Sequence, residues 1–329
     1  MTTEPAPQAA PARSSVVTVL GAGRSGTSLL TRGVQTLGVD LGDRLRPAGG
    51  KNPTGFFEDR DLLSLTRRLK HALGVRGHSV HLIGDAEWQA PAVRALQLEA
   101  VETIRRRFGN SPLWGFKHGR TLRFLLFWEG VFRELDLETR YVVALRNPLS
   151  VARSRAQLHP ERGRPTWSCL EWLTNVVPYF HLLRGRPFAV VDFDTLVDAP
   201  AAQLERVAAA LALPVDGAVR TSIDEFAQRF LRTGMRHSRY TPEDLRADPN
   251  ILPLLIEAYT WLDRLARDQT GPADEALWRD WQRIETDLRE LAPLLQEMDW
   301  LRSRLERARW DPFSPGTALR QLWRDWRSR

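Results

Sequence analysis

Residues 16–30 read VVTVLGAGRSGTSLL. The β-branched run 16–20, closed by Gly21, predicts a buried strand. Residues 27–37 predict a helix, with Leu29, Leu30, Val34 and Leu37 on one face. A glycine loop between a strand and a helix turns successive backbone N–H groups inward, and the helix start adds partial positive charge, so the loop suits an anion. Three nucleotide-binding frames use this device. Gly21, Gly23 and Gly26 match G-x-G-x-x-G, but that frame wants a second strand ending in an acid about 20 residues on. Asp40 has nearly that spacing, yet its VDLGD surroundings do not read as a strand. Residues 21–28 keep the G-x-x-x-x-G frame of an NTPase loop, but Thr27 stands where a lysine must reach the β- and γ-phosphates. An ordinary kinase or GTPase is therefore disfavoured. The third frame moves the cation forward to Arg24, followed by Ser25, Gly26, Thr27 and Ser28. A tight turn without a ligand is the plain alternative.

Outward from this loop, apolar strands alternate with amphipathic helices. Residues 113–117, 141–145 and 188–193 predict strands, and 59–73, 93–108 and 201–211 predict helices. The alternation implies an α/β three-layer sandwich around a mostly parallel central sheet. Beyond about residue 271 the pattern changes. Leu277, Trp281, Ile284, Leu288, Leu291, Leu295 and Met298 form a heptad-like seam, interrupted by Pro293, where a kink or a break into two helices is expected. The chain thus divides into a disordered leader (1–14), an α/β domain (15–270) and a Trp/Arg-rich helical extension (271–329). That extension either packs on the main domain or a second copy, or meets a membrane or an acidic partner.

Composition narrows the functional classes. The chain has 329 residues, 47 basic against 40 acidic side chains and one cysteine, Cys169, which excludes an intramolecular disulfide framework. Residues 301–329 hold eight arginines and only three acids, so much of the net +7 lies away from the glycine loop. No nucleic-acid-binding module accompanies that charge. No apolar run approaches the roughly 20 residues of a spanning helix. The N-terminus lacks the basic start and apolar segment of a secretory signal, so the default expectation is a soluble, cytoplasmic protein, peripheral at a membrane if the extension binds one. There is no H-E-x-x-H motif and no cysteine pair, and no metal is expected.

With Arg24-Ser25-Gly26-Thr27-Ser28, the loop resembles the 5′-phosphosulfate loop, K/R-S-G-T-S/T, of the PAPS-dependent sulfotransferases. That family holds the 3′-phosphate with an arginine at a strand end and a serine eight positions on. Here YVVALRNPLSVARS supplies Arg146 and Ser154 at that spacing, with Pro148 opening the helix. Four further segments are similar to the bacterial-type branch: NPTGFFEDRDL (52–62), WGFKHGR (114–120), VVDFDTLVDAP (190–200) and MRHSR (235–239). His118 and Gly119 stand where that branch usually has Asp and Pro. The likeness runs over about 16–245 and leaves out the extension.

The resemblance implies PAPS as co-substrate and transfer of its sulfonate to a hydroxyl, or less often an amine. It makes Gly23, Arg24, Ser25, Gly26, Thr27, Ser28, Arg146, Ser154 and Arg236 donor-binding residues, with His237 beside Arg236. Arg24 is the candidate to stabilise the leaving oxygen. Glu58 is the candidate base; alternatively it helps cap the helix after it and pairs with Arg60 or Arg67. His118 is a second candidate base, and Lys117 is a candidate for the sulfonate. The acceptor class expected is a glycan, a glycolipid or another small hydroxylated molecule. Two other readings stay open: an atypical P-loop kinase, which needs a Walker-B-like acid (Asp192 or Asp194), and a non-catalytic scaffold on a nucleotide fold.

Overall fold

Val16 and Leu20 point to one face of their strand and Val17 and Val19 to the other, and each pair joins a separate hydrophobic core. That two-sided burial sets the architecture. The structure is a computed structural model and describes residues 13–49, 55–77, 79–230 and 239–310.

The strands are β1 (Ser15–Gly21), β2 (Leu113–Lys117), β3 (Glu138–Leu145) and β4 (Phe188–Asp192). Between β1 and β2 lie α1 (Thr27–Gln35), α2 (Arg60–Ala72), α3 (Asp85–Trp88) and α4 (Pro91–Phe108). Then α5 (Leu125–Glu134) precedes β3, and α6 (Pro148–Ala156) and α7 (Pro165–Phe180) precede β4. After β4 come α8 (Phe193–Asp198), α9 (Pro200–Ala210), α10 (Gly217–Glu225), α11 (Pro242–Ala247), α12 (Pro253–Ala266), α13 (Glu275–Glu290) and α14 (Ala292–Trp310).

All four strands are parallel, in the order β2-β1-β3-β4. One core joins Trp114, Phe116, Tyr141, Val143 and Val190 to α2, α4, α5, α7, α12 and α13. The other joins Val142, Ala144, Ala189 and Val191 to α1, α9 and α10. The three layers expected from the alternation are present. The strand expected over 188–193 stops at Asp192, because the Asp192 carboxylate accepts from Thr195 N (2.9 Å) and caps α8.

The heptad-like seam is spent on the same core as the sheet. Leu277, Trp278, Trp281, Ile284 and Leu288 of α13 are buried there. Trp281 packs on Phe180 of α7 with ring centroids 4.4 Å apart, and its Nε1 donates to Val177 O at 3.1 Å. At Pro293 the chain breaks into two helices: α13 ends at Glu290 and α14 restarts at Ala292. Asp299 of α14 accepts from Val80 N (2.8 Å) and pairs with His81 Nδ1 (2.7 Å). Residues 311–329 of the extension and 1–12 of the leader lie outside the described residues. Among the described residues, no helix is long and apolar enough to cross a membrane.

Candidate active site

In a parallel sheet ordered β2-β1-β3-β4, the chain leaves β1 towards one edge and β3 towards the other. The crevice between the carboxyl ends of β1 and β3 is therefore the topological switch point, where open α/β sheets bind ligands. Both sequence motifs end there, because Gly21 pairs with Ala144, two residues before Arg146. The approach demands glycine: a Cβ on Gly21 (φ +134°) would lie 2.6 Å from Ala144 O.

The loop that follows is held by arginines. Ser25 N donates to Ala22 O (3.2 Å), and Arg24 adopts φ 76°, a left-handed conformation unusual for a residue with a Cβ. Arg146 Nη1 donates to Arg24 O (3.3 Å), and Arg155 Nη2 donates to Gly23 O (3.4 Å). The Arg24 side chain turns to α6, where its Nε donates to Ser154 Oγ (3.1 Å). The glycine-loop anchor and the β3–α6 anchor, about 120 residues apart in the chain, thus meet side chain to side chain. Ser25 Oγ is buried and finds no hydrogen-bond partner among the described residues. A buried hydroxyl beside several arginines and an uncapped helix N-terminus at Gly26 is a donor set that fits a phosphate oxygen. Arg146, itself buried, lies 4.4 Å over the Phe193 ring, the same ring that a Cβ on Gly26 would strike at 2.3 Å.

A second cluster sits at the carboxyl end of β2. Lys117 Nζ donates to Ser28 Oγ (3.0 Å), Phe56 O (2.8 Å) and Glu58 Oε1 (3.1 Å). Glu58 Oε2 accepts from Arg46 Nη1 (3.1 Å), and Arg46 lies 3.7 Å over the Phe56 ring. So a cation from the neighbouring strand contacts the glycine-loop helix at Ser28. Burial raises the Glu58 carboxyl, but Lys117, His118 and Arg46 outweigh it and hold the group below the usual carboxylate range. Burial pushes the Lys117 ammonium down against the pull of Glu58. Burial also pushes His118 down to about 4, so its imidazole is neutral near pH 7. The buried His118 Nδ1 has no hydrogen-bond partner among the described residues.

The structure thus brings together Gly23, Arg24, Ser25, Gly26, Thr27, Ser28, Glu58, Lys117, His118, Arg146 and Ser154. Arg236 and His237 lie outside the described residues. The chain after them is tied to the start of α6, where Tyr240 N donates to Ser150 Oγ (3.3 Å) and Asn147 Nδ2 to Thr241 O (2.8 Å). Glu58 does not cap α2. Asp59 does, accepting from Asp61 N (2.9 Å) and Leu62 N (3.1 Å), and Arg107 pins it at 2.7 Å. Nor does Glu58 pair with Arg60 or Arg67; its partners are Lys117 and Arg46. Asp192, a Walker-B candidate, is occupied by Thr195 N and Oγ1 (2.9 and 3.0 Å).

Sequence reasoning missed Arg46 and Arg155. Arg46 carries no motif signal. Arg155 follows Ser154 directly, and the alternation of bases around that serine (Arg153, Arg155) is the sign that was available. Among the described residues, no group of three or more His, Cys, Asp or Glu side chains could hold a metal ion.

No protein-family model matches this chain, and no curated protein is significantly similar to it. Several solved structures are similar to it over most of its length. The sulfotransferase domain of the Synechococcus PCC 7002 olefin synthase is 17% identical, over 86% of this chain and 98% of that one, with a TM-score of 0.39. Sulfotransferase STF9 from Mycobacterium avium is 14% identical, over 79% and 78% of the two chains, with a TM-score of 0.41. Retinol dehydratase in complex with androsterone and inactive cofactor PAP is 13% identical, over 84% and 81%, with a TM-score of 0.33.

Proposed function

We propose that this chain is a PAPS-dependent sulfotransferase that moves a sulfonate to a hydroxyl of a glycan, a glycolipid or another small acceptor. The observation that carries this is the meeting of two anion-binding anchors at one switch point: the loop around Arg24 and the Arg146–Ser154 pair on β3–α6. An ATP-type enzyme needs one phosphate loop with its own lysine, whereas a bisphosphate nucleotide needs a second, separate phosphate grip. Of the two Walker-B candidates of the kinase alternative, Asp192 is engaged through Oδ1 in capping α8.

PAPS supplies a sulfonate already activated on a 5′-phosphate, together with a 3′-phosphate handle. Arg146 and Ser154 hold that handle, and the N–H groups at the start of α1 hold the 5′-phosphate with Ser25 and Thr27. In the transfer, the acceptor oxygen bonds to sulfur as the bond from sulfur to the 5′-phosphate oxygen breaks. The electron pair stays on that oxygen, where Arg24 and Lys117 stabilise the charge. The acceptor proton passes to the Glu58 carboxylate, which is ionised at neutral pH. Lys117 holds Glu58 and Ser28 together, so base and loop share one rigid contact. His118 is the alternative base, favoured by its neutral, buried imidazole, whose Nδ1 has no hydrogen-bond partner among the described residues.

Calorimetric titration with PAP, adenosine 5′-phosphate, Mg-ATP and NAD tests the donor. PAP binds, and Arg146→Met weakens it by about 10- to 100-fold, the cost of one or two charged hydrogen bonds, with little change for adenosine 5′-phosphate. Binding of ATP or NAD without PAP overturns the assignment. So does an Arg146→Met variant that keeps full discrimination between PAP and adenosine 5′-phosphate.

A further inference from the structure

Of the 47 basic side chains only three are lysines, and one of these is Lys70. It lies in the last turn of α2, partly buried, and its ammonium forms no hydrogen bond or ion pair among the described residues. Burial, and then Arg120, Arg162, Arg123 and Arg67, push it down to about 8. Among the described residues the carboxylate these guanidinium groups share is Glu171, which is completely buried, while Asp299, held by Val80 N and His81, acts on Arg123 as well. Arg162 binds Glu171 through both oxygens (3.1 and 2.9 Å), with Arg155 at 3.4 Å and Arg120 at 3.6 Å. Other donors are met by neutral carbonyls, while the buried Arg123 Nε has no hydrogen-bond partner among the described residues. Arg120 donates to Arg76 O and Gly77 O, and Arg123 to Ser79 O and His81 O. Among the described residues, cations therefore outnumber the anions that face them in a partly desolvated place, where like charges repel strongly.

This excess of charge borders the site described above. His118 feels both Glu58 and Lys117 of that site and Arg120 and Lys70 of this cluster. Arg155 touches both the glycine loop, at Gly23 O, and Glu171. We infer that the acceptor carries an oxyanion of its own, a carboxylate or a sulfate or phosphate ester, that docks on Lys70, Arg120 and Arg162 beside His118. This rests on the proposed function for the word acceptor, while the oxyanion site rests on the cluster alone. Guanidinium groups suit planar or tetrahedral oxyanions, and Lys70 adds a point charge that no group among the described residues neutralises. Neutral sugars and sterols would leave the cluster uncompensated. An acidic sugar or a previously sulfated one would complete it.

Two measurements on the full chain test this. In the first, the protein is saturated with PAP and Lys70 is acylated at pH 8, its labelling rate being followed by mass spectrometry in inorganic sulfate or in chloride of equal ionic strength. A bound oxyanion lifts the ammonium pKa by about one unit, so at pH 8 sulfate slows labelling about fivefold, and Arg162→Met abolishes the protection. Equal rates in the two salts overturn the inference. In the second, labelled PAPS is supplied with chondroitin or its carboxyl-reduced form. The acidic polymer is preferred about tenfold in kcat/KM; Lys70→Met brings the ratio near one, and Lys70→Arg restores it. A preference for the neutral polymer, or a ratio unmoved by Lys70→Met, overturns the inference. Where neither polymer is sulfonated, the labelling result decides. Failure of PAP to bind with Lys70 still protected by sulfate removes the donor assignment and leaves the oxyanion site standing.

Discussion

Glu58→Gln is the most informative single substitution, because it separates the carboxylate's charge from its shape. Glu58 is 6% exposed and Lys117 4% exposed, and each Glu58 oxygen meets one cation at 3.1 Å. Removing the charge leaves the Lys117 ammonium buried without an anion, which costs about 3–5 kcal/mol for a broken buried pair. The lower end applies, since Ser28 Oγ and Phe56 O still accept from Lys117 at 3.0 and 2.8 Å. At about 2 °C per kcal/mol for a chain of this size, a loss of about 3 kcal/mol lowers Tm by about 6 °C. The carboxyl is held below its ordinary value in the folded state, so its contribution is complete above the unfolded pKa of about 4.3 and is lost as pH falls through the folded value. The gap between wild type and Glu58→Gln is therefore flat between about pH 6 and 8 and closes below about pH 4. Urea unfolding of Glu58→Gln, Lys117→Met and the double variant gives the coupling, expected at about 1.5 kcal/mol or more. If Glu58 takes the acceptor's proton, the same substitution lowers kcat by about 100-fold or more while PAP affinity stays within a few-fold. Additive single costs, or a gap that persists in acid, would refute the reasoning.

Two more substitutions probe the frame around the site. Gly26→Ala forces a Cβ to within 2.3 Å of Phe193 at φ +82°; we expect a loss of about 2–3 kcal/mol in urea unfolding and weaker PAP binding, because the displaced ring lies under Arg146. Trp281→Ala empties a fully buried site on α7 and should cost about 3–5 kcal/mol, whereas a loss under about 1 kcal/mol would show that α13 is no part of the core.

The parts of this molecule that were legible in the sequence are those whose physics is local. The β1–loop–α1 unit is covalently continuous, so β-branching, glycine spacing and helical period suffice to read it. Strand β2 was read at 113–117, where it lies, and the other strands shift by a few residues at their ends. Helix α7 left no period to read, because Ser168, Cys169 and ten further residues of its 16 are buried on all sides. The 4-3 spacing of α13 shows that a face is apolar, not what covers it. Phe180 and α7 cover it here, rather than a second helix of the same seam.

The candidate site divides in the same way. Arg24, Arg146 and Ser154 were legible from motif spacing, but their contact depends on β1 and β3 being neighbours, which no local pattern encodes. Glu58 illustrates the cost of reading one residue by its neighbours. Beside a helix start it looks like a cap, yet Asp59 takes that task because its shorter side chain reaches the N–H groups of Asp61 and Leu62. Arg107, 48 residues further on, then clamps Asp59 and holds the turn that directs Glu58 at Lys117. With Lys117 59 residues away, the pair is invisible until the sheet sets β2 beside the glycine loop. The chemistry of this site is therefore carried by residue types the sequence displays and by adjacencies that only the parallel sheet creates.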